Sequence, residues 1–140
     1  MISIFLSINN NEEVIELPVI PPSLETASPY NNDSFDGLSQ ELNLIGVRGL
    51  KLMEIESFFP VREYPFLRSK EMWGMAYVEA IERWRDRRYP IRFIVANTDR
   101  NGYKINTAVT IDDFTYRVGQ SGDIEYTLSL REFPFVKVSG

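Results

Sequence analysis

The tightest constraint on this chain is an uninterrupted alternation near its C-terminal end. Ile124, Tyr126, Leu128 and Leu130 take turns with Glu125, Thr127, Ser129 and Arg131. A period of two puts each set on its own face of an extended strand, so the segment predicts a strand with one buried and one wet face. Such a strand needs neighbours to pair with and a layer to cover its apolar side.

The same period recurs along the chain. Ile2, Ile4, Leu6 and Ile8 alternate in one run, and Glu13, Ile15, Leu17 and Val19 share a face of the next. The intervening Asn9, Asn10 and Asn11 tolerate left-handed backbone, so 1–19 reads as a hairpin. Pro18, Pro21 and Pro22 withhold ladder donors and end its second strand. Residues 23–49 carry loop punctuation and predict an irregular or edge-like region, with 43–47 able to pair at an edge. Residues 50–58 read as a strand whose apolar phase shifts between Leu52 and Met53, as at a bulge or where both faces are covered. Further on, Ile91, Phe93 and Val95 share a face. A turn with Asn101-Gly102 inside it follows, and the chain returns over 105–111. Phe114, Tyr116 and Val118 form one side of another segment, and 119–122 turns it into the final strand.

One helix is expected over about residues 69–88. Ser69 suits the N-cap and Glu71 the first turn, while Trp73, Tyr77, Ala80, Ile81 and Trp84 recur at helical spacing. Arg83, Arg85, Arg87 and Arg88 crowd the last turns, where cations complement the dipole, and Pro90 closes the helix. A lone amphipathic helix must cover something, so both tryptophans are expected to pack against a sheet. Many strands and one helix, without strand-helix-strand repeats, imply an α+β fold. It is expected to be mostly antiparallel β, two sheets or a partly closed barrel, in one domain over 1–140.

Composition narrows the function. The formal charge of −5 argues against a nucleic-acid partner, since phosphate-backbone binding relies on clustered Lys and Arg. Neither cysteine nor histidine occurs. That removes disulfides, thiolate metal sites, and the commonest general base and transition-metal ligand at neutral pH. The apolar run over 1–8 is too short for a membrane span, so no membrane insertion is expected. Phosphate-cradling glycine loops and the G-x-S-x-G elbow are missing from the sequence. The remaining carboxylates, Asp112 with Asp113, Asp33 with Asp36, and Glu54 with Glu56, read as turn and surface groups. An oxygen-only Ca²⁺ site from Asp33, Ser34 and Asp36 lacks the later bidentate Glu of an EF-hand loop. No catalytic residue, metal or cofactor is expected, and the protein is expected not to be an enzyme.

Three stretches are candidates for partner contact. They are the loop 29–37 with Asn31 and Phe35, the Pro-broken aromatic stretch 58–66 with Phe58, Phe59, Tyr64 and Phe66, and the turn 99–103 with Arg100 and Tyr103. A carbohydrate or cell-wall binding module using aromatics such as Tyr64 or Trp73 is the first alternative. A carboxylate-dependent cell-wall hydrolase using Asp112 or Asp113 is the second.

The order of several short segments resembles a known family. Ile15-Glu16-Leu17-Pro18-Val19, Pro21-Pro22-Ser23, Leu44-Ile45-Gly46-Val47-Arg48-Gly49-Leu50 and Glu56-Ser57-Phe58-Phe59-Pro60 carry the first half of the likeness. Ile81-Glu82-Arg83-Trp84, Pro90-Ile91-Arg92, Thr110-Ile111-Asp112-Asp113-Phe114 and Gly122-Asp123-Ile124-Glu125-Tyr126-Thr127-Leu128 carry the second. Together they resemble the N-terminal domain of LysM-containing baseplate proteins of PBSX-type prophages and related contractile phage tails. The resemblance implies a structural assembly part at the tube-baseplate or hub junction, with tube, hub, sheath-initiator or baseplate subunits as partners, and an oligomer in the assembled particle. It also implies assembly in the host cytoplasm and a final place in the virion tail. A LysM module follows in typical relatives; this sequence ends at Ser139-Gly140 without one, as either a truncated chain or a protein lacking that module would, so the resemblance leaves a glycan role open.

Overall fold

The computed structural model describes residues 1–28, 30–31, 47–48 and 50–133, with side chains described outside 30–31 and 47–48. Its elements are β1 (Ile2–Ile8), β2 (Glu13–Glu16), β3 (Leu24–Ala27), β4 (Tyr30–Asn31), β5 (Val47–Arg48), β6 (Leu52–Phe59), α1 (Met75–Arg87), β7 (Ile91–Asn97), β8 (Ile105–Val118) and β9 (Ile124–Glu132). Seven strands form one open sheet in the order β2-β1-β7-β8-β9-β6-β3, and β4 pairs with β5 separately. Every pairing is antiparallel. The architecture is the expected α+β class with a single helix.

Chain connectivity forces the main sheet to curl. Its outermost strands, β2 and β3, are consecutive in sequence, joined by a short link from Glu16 to Leu24. Seven strands laid flat would separate them by ~29 Å, about the full reach of that link when fully stretched. Hydrogen bonds across the gap confirm the curl. Ser57 in β6 donates its hydroxyl to the Val19 carbonyl at 3.3 Å, and the Tyr103 and Thr26 hydroxyls lie 3.0 Å apart.

The hairpin turn uses the predicted residues, with Asn9, Asn10 and Asn11 all at positive φ. Inside the curl, Ile4, Leu6, Ile8, Ile15, Leu17, Phe93, Val95 and Leu128 surround Tyr77, Ile81 and Trp84 of α1 in one core. Full burial of each large side chain contributes ~1.5–3 kcal/mol. At the centre, Phe59 lies between two rings, stacked on Tyr77 at 4.7 Å and on Tyr126 at 4.0 Å.

Three expectations need correction. The helix begins at Met75 and not near residue 69. Ser69 Oγ does accept the Glu71 N–H at 3.4 Å, but that turn does not propagate, because Gly74 at φ +52 breaks the helical path. Trp73 therefore sits outside the helix and is 39% exposed, while Trp84 is buried as expected. At the other end Arg88 takes a left-handed cap conformation. The bulge is likewise displaced. β6 keeps strict alternation, with Met53, Ile55 and Phe59 buried, and pairs with β9 without a register shift. The irregularity falls in β8 between Ile111 and Asp113. Finally, 105–111 and 114–118 are one continuous strand. The extra residue at the bulge moves the inward phase from odd to even numbers, so Val109 and Ile111 and then Phe114 all face the core.

Truncating Phe59 to Ala removes the ring that α1 and β9 share. It should cost ~3–5 kcal/mol in urea unfolding, against less than ~0.5 kcal/mol for the exposed helix change Glu79→Gln.

Candidate interaction surface

The connection from β6 to α1, residues 60–74, is a compact loop with its two ends tied together. Gly74 N–H donates to the Pro60 carbonyl at 2.9 Å, which closes the loop in the manner of an Ω-loop. Gly74 is needed there twice over. Its φ is +52, and a Cβ would meet the Val61 side chain at 2.9 Å. The body of the loop is anchored to the β-hairpin, with Arg68 N–H donating to the Pro18 carbonyl at 2.7 Å and its guanidinium to Ser3 Oγ at 2.8 Å. Lys70 and Glu63 pair on its surface.

Asp123, buried in the β8–β9 turn, holds the near side of this loop. Its carboxylate accepts the Val61 N–H at 2.9 Å, the Tyr64 hydroxyl, and the Ser121 hydroxyl at 3.1 Å. Arg62 reaches over to donate to the Ser121 carbonyl. Burial alone would raise the Asp123 pKa, but the bonds from Tyr64, Val61 and Ser121, with the Arg62 charge, outweigh it and hold the group below the usual carboxylate value. Accepting that bond, the Asp123 carboxylate raises the Tyr64 phenol above its ordinary value. Gly122 makes the turn possible at φ +93.

Thus pinned, the loop presents a small aromatic cluster to solvent. Tyr64 and Phe66 stack at 5.1 Å, and both meet Phe58 edge-on, at 5.9 and 6.3 Å. Phe66 is 52% exposed and Val61 44%. Phe58 also lines an open groove of about 660 Å³ on the sheet's outer face, with Pro22, Glu56, Thr115, Arg117 and Thr127.

The expected contact residues thus divide. Phe58, Tyr64 and Phe66 come together in one surface cluster. Phe59 does not join them, and its place among surface contacts is a correction. It is completely buried, because β6 alternates and residue 59 falls on the inward side. Tyr103 is partly exposed and engages Thr26, and Arg100 is exposed beside it, away from the cluster in sequence and strand order. Asn31 lies in β4 by its backbone, while Phe35 and the Asp33, Ser34, Asp36 set fall outside the described residues. Sequence reasoning missed Asp123, and only its position after a Gly-flanked turn hinted at a structural carboxylate.

The two carboxylates of the hydrolase alternative sit at the bulge of β8. Asp112 pairs with Arg131 at 2.8 Å, and Asp113 accepts the Phe114 N–H at 3.0 Å. Among the described residues no group of three or more Asp or Glu is arranged to hold a metal, and no helix is long and apolar enough to cross a membrane. Neither known protein-family models nor curated proteins give a match to this sequence.

Since the Asp123 pKa is depressed by folding, its ionised form stabilises the native state at pH above ~3.9, and that contribution is lost as pH falls through the lower folded value. Asp123→Asn should flatten stability in this acid range. It should also speed amide exchange at Val61, measured by hydrogen-exchange NMR; unchanged protection at Val61 would mean that Asp123 does not hold the loop.

Proposed function

We propose that this chain is a non-enzymatic assembly protein that binds other proteins through loop 60–74 and the adjoining sheet face. The observation that carries the reading is the Phe58–Tyr64–Phe66 cluster, three rings held at the surface by a loop that is itself pinned by Asp123 and Gly74. Rigid exposed aromatics supply contact area at little entropic cost, which is the property of interface hot spots.

The segment resemblance supplies the setting, a contractile phage tail or tail-like particle, with this chain at the tube-baseplate or hub junction. Its partners there are tube, hub, sheath-initiator or baseplate subunits. Protein-protein docking needs surface shape and no reactive group, which accords with a chain lacking His and Cys.

In co-expression with tail components, the native chain should capture a tube, hub, sheath-initiator or baseplate subunit. Phe66→Ala should weaken that capture by ~2 kcal/mol or more, some thirtyfold in Kd, with an unchanged thermal midpoint. Failure to capture any tail component, or equal capture by the Phe66→Ala chain, would refute the reading.

A further inference from the structure

The outward side of β6 reads Leu52, Glu54, Glu56 and Phe58 at every second residue. Successive members of such a row stand ~6.8 Å apart. Glu25 of β3 lies directly opposite Glu54. Like charges in that relation destabilise a sheet, and a cation or Thr at either place would relieve it. Two cations on the neighbouring strands of this face, Arg117 and Arg131, are committed elsewhere, to Glu125 and Asp112, each at 2.8 Å. Among the described residues Glu25, Glu54 and Glu56 have no ion pair or side-chain hydrogen bond. The row ends at Phe58, whose ring adjoins Phe66 and Tyr64. Among the described residues, then, an acidic stripe without a compensating cation runs into the half-buried Phe58, beside the exposed ring of Phe66. Sequences tend to break local stability rules of this kind at functional places.

We infer that this face docks an extended cationic segment of a partner protein, with Lys or Arg at alternate positions followed by an apolar or aromatic residue. An extended chain repeats its side chains at the same ~6.8 Å interval, so two alternate cations meet Glu54 and Glu56 while the next same-side residue reaches Phe58 and Phe66. Glu25 adds to the field that draws the segment in. A second copy of this chain fits less well, because it brings a net charge of −5 to an acidic surface. The inference rests on the protein-binding reading above and specifies the chemistry of the partner.

The test titrates the full chain with a blocked peptide, Lys-Ser-Lys-Ser-Trp, at low salt, reading Trp anisotropy. Saturable binding is expected. It should weaken as salt rises and fall at least tenfold in the E54Q/E56Q double variant. The thermal midpoint of E54Q should rise, since the repulsion with Glu25 is gone, so lost binding is not lost folding. No saturable binding, equal affinity for the peptide with Glu in place of Lys, or unchanged binding by E54Q/E56Q would overturn the inference. So would a dimer in sedimentation equilibrium that R85Q/R88Q dissolves. Capture of tail components that survives E54Q/E56Q but not F66A would overturn it too and leave the assembly reading standing. Peptide docking without capture of any tail component would uphold this inference and remove the tail setting.

Discussion

The stack of Tyr77, Phe59 and Tyr126 is the contact on which the rest of the structure depends. It joins the last residue of β6, the first turn of α1 and the early part of β9 in a single column of rings. Burial also pushes the Tyr126 phenol well above its ordinary pKa, so it stays neutral within the core. Phe59 and Tyr77 flank loop 60–74 on either side. Once the column forms, the loop's ends are fixed close together, and the Gly74 to Pro60 hydrogen bond completes a closure that the core has already imposed.

The curl of the sheet follows from the same economy of material. One helix of 13 residues cannot cover a flat sheet of seven strands. Wrapping the strands around it lets β1, β2, β6, β7, β8 and β9 all bury side chains in one cluster. The bulge in β8 belongs to this solution. At 14 residues β8 is the longest strand, and it serves β7 along its first part and β9 along most of its length. Without the added residue, Phe114 and Tyr116 would turn outward while Asp113 turned in.

Much of this was legible in the sequence because alternation reports directly on which side of a strand is buried. The hairpin at 1–19, the turn at Asn101-Gly102 and the final strand all follow that logic. The helix start was not legible, because Trp73 and Tyr77 have helical spacing whether or not a helix joins them. What decides the matter is Gly74, whose left-handed backbone depends on a carbonyl 14 residues earlier in the chain. The surface cluster was half legible for a similar reason. Aromatic residues broken by prolines pointed to 58–66, but sorting Phe58 from Phe59 needs the phase of β6. Asp123 was barely legible, since a carboxylate that organises a loop about 60 residues away leaves no local pattern beyond its place after a Gly-flanked turn.

These long-range ties also bear on why the outer surface can be electrostatically costly. The core and Asp123 hold the loop with ordinary packing and hydrogen bonds, so the rings of Phe58, Tyr64 and Phe66 are already placed before any partner arrives. A binding event then has little ordering entropy to offset. The repulsion between Glu25 and Glu54 is modest while both are hydrated, and it diminishes when a cation approaches. The free protein is thereby slightly destabilised at a surface where a cation would relieve it, and on the proposed docking the differential between the free and bound states gives such a face selectivity for positively charged partners.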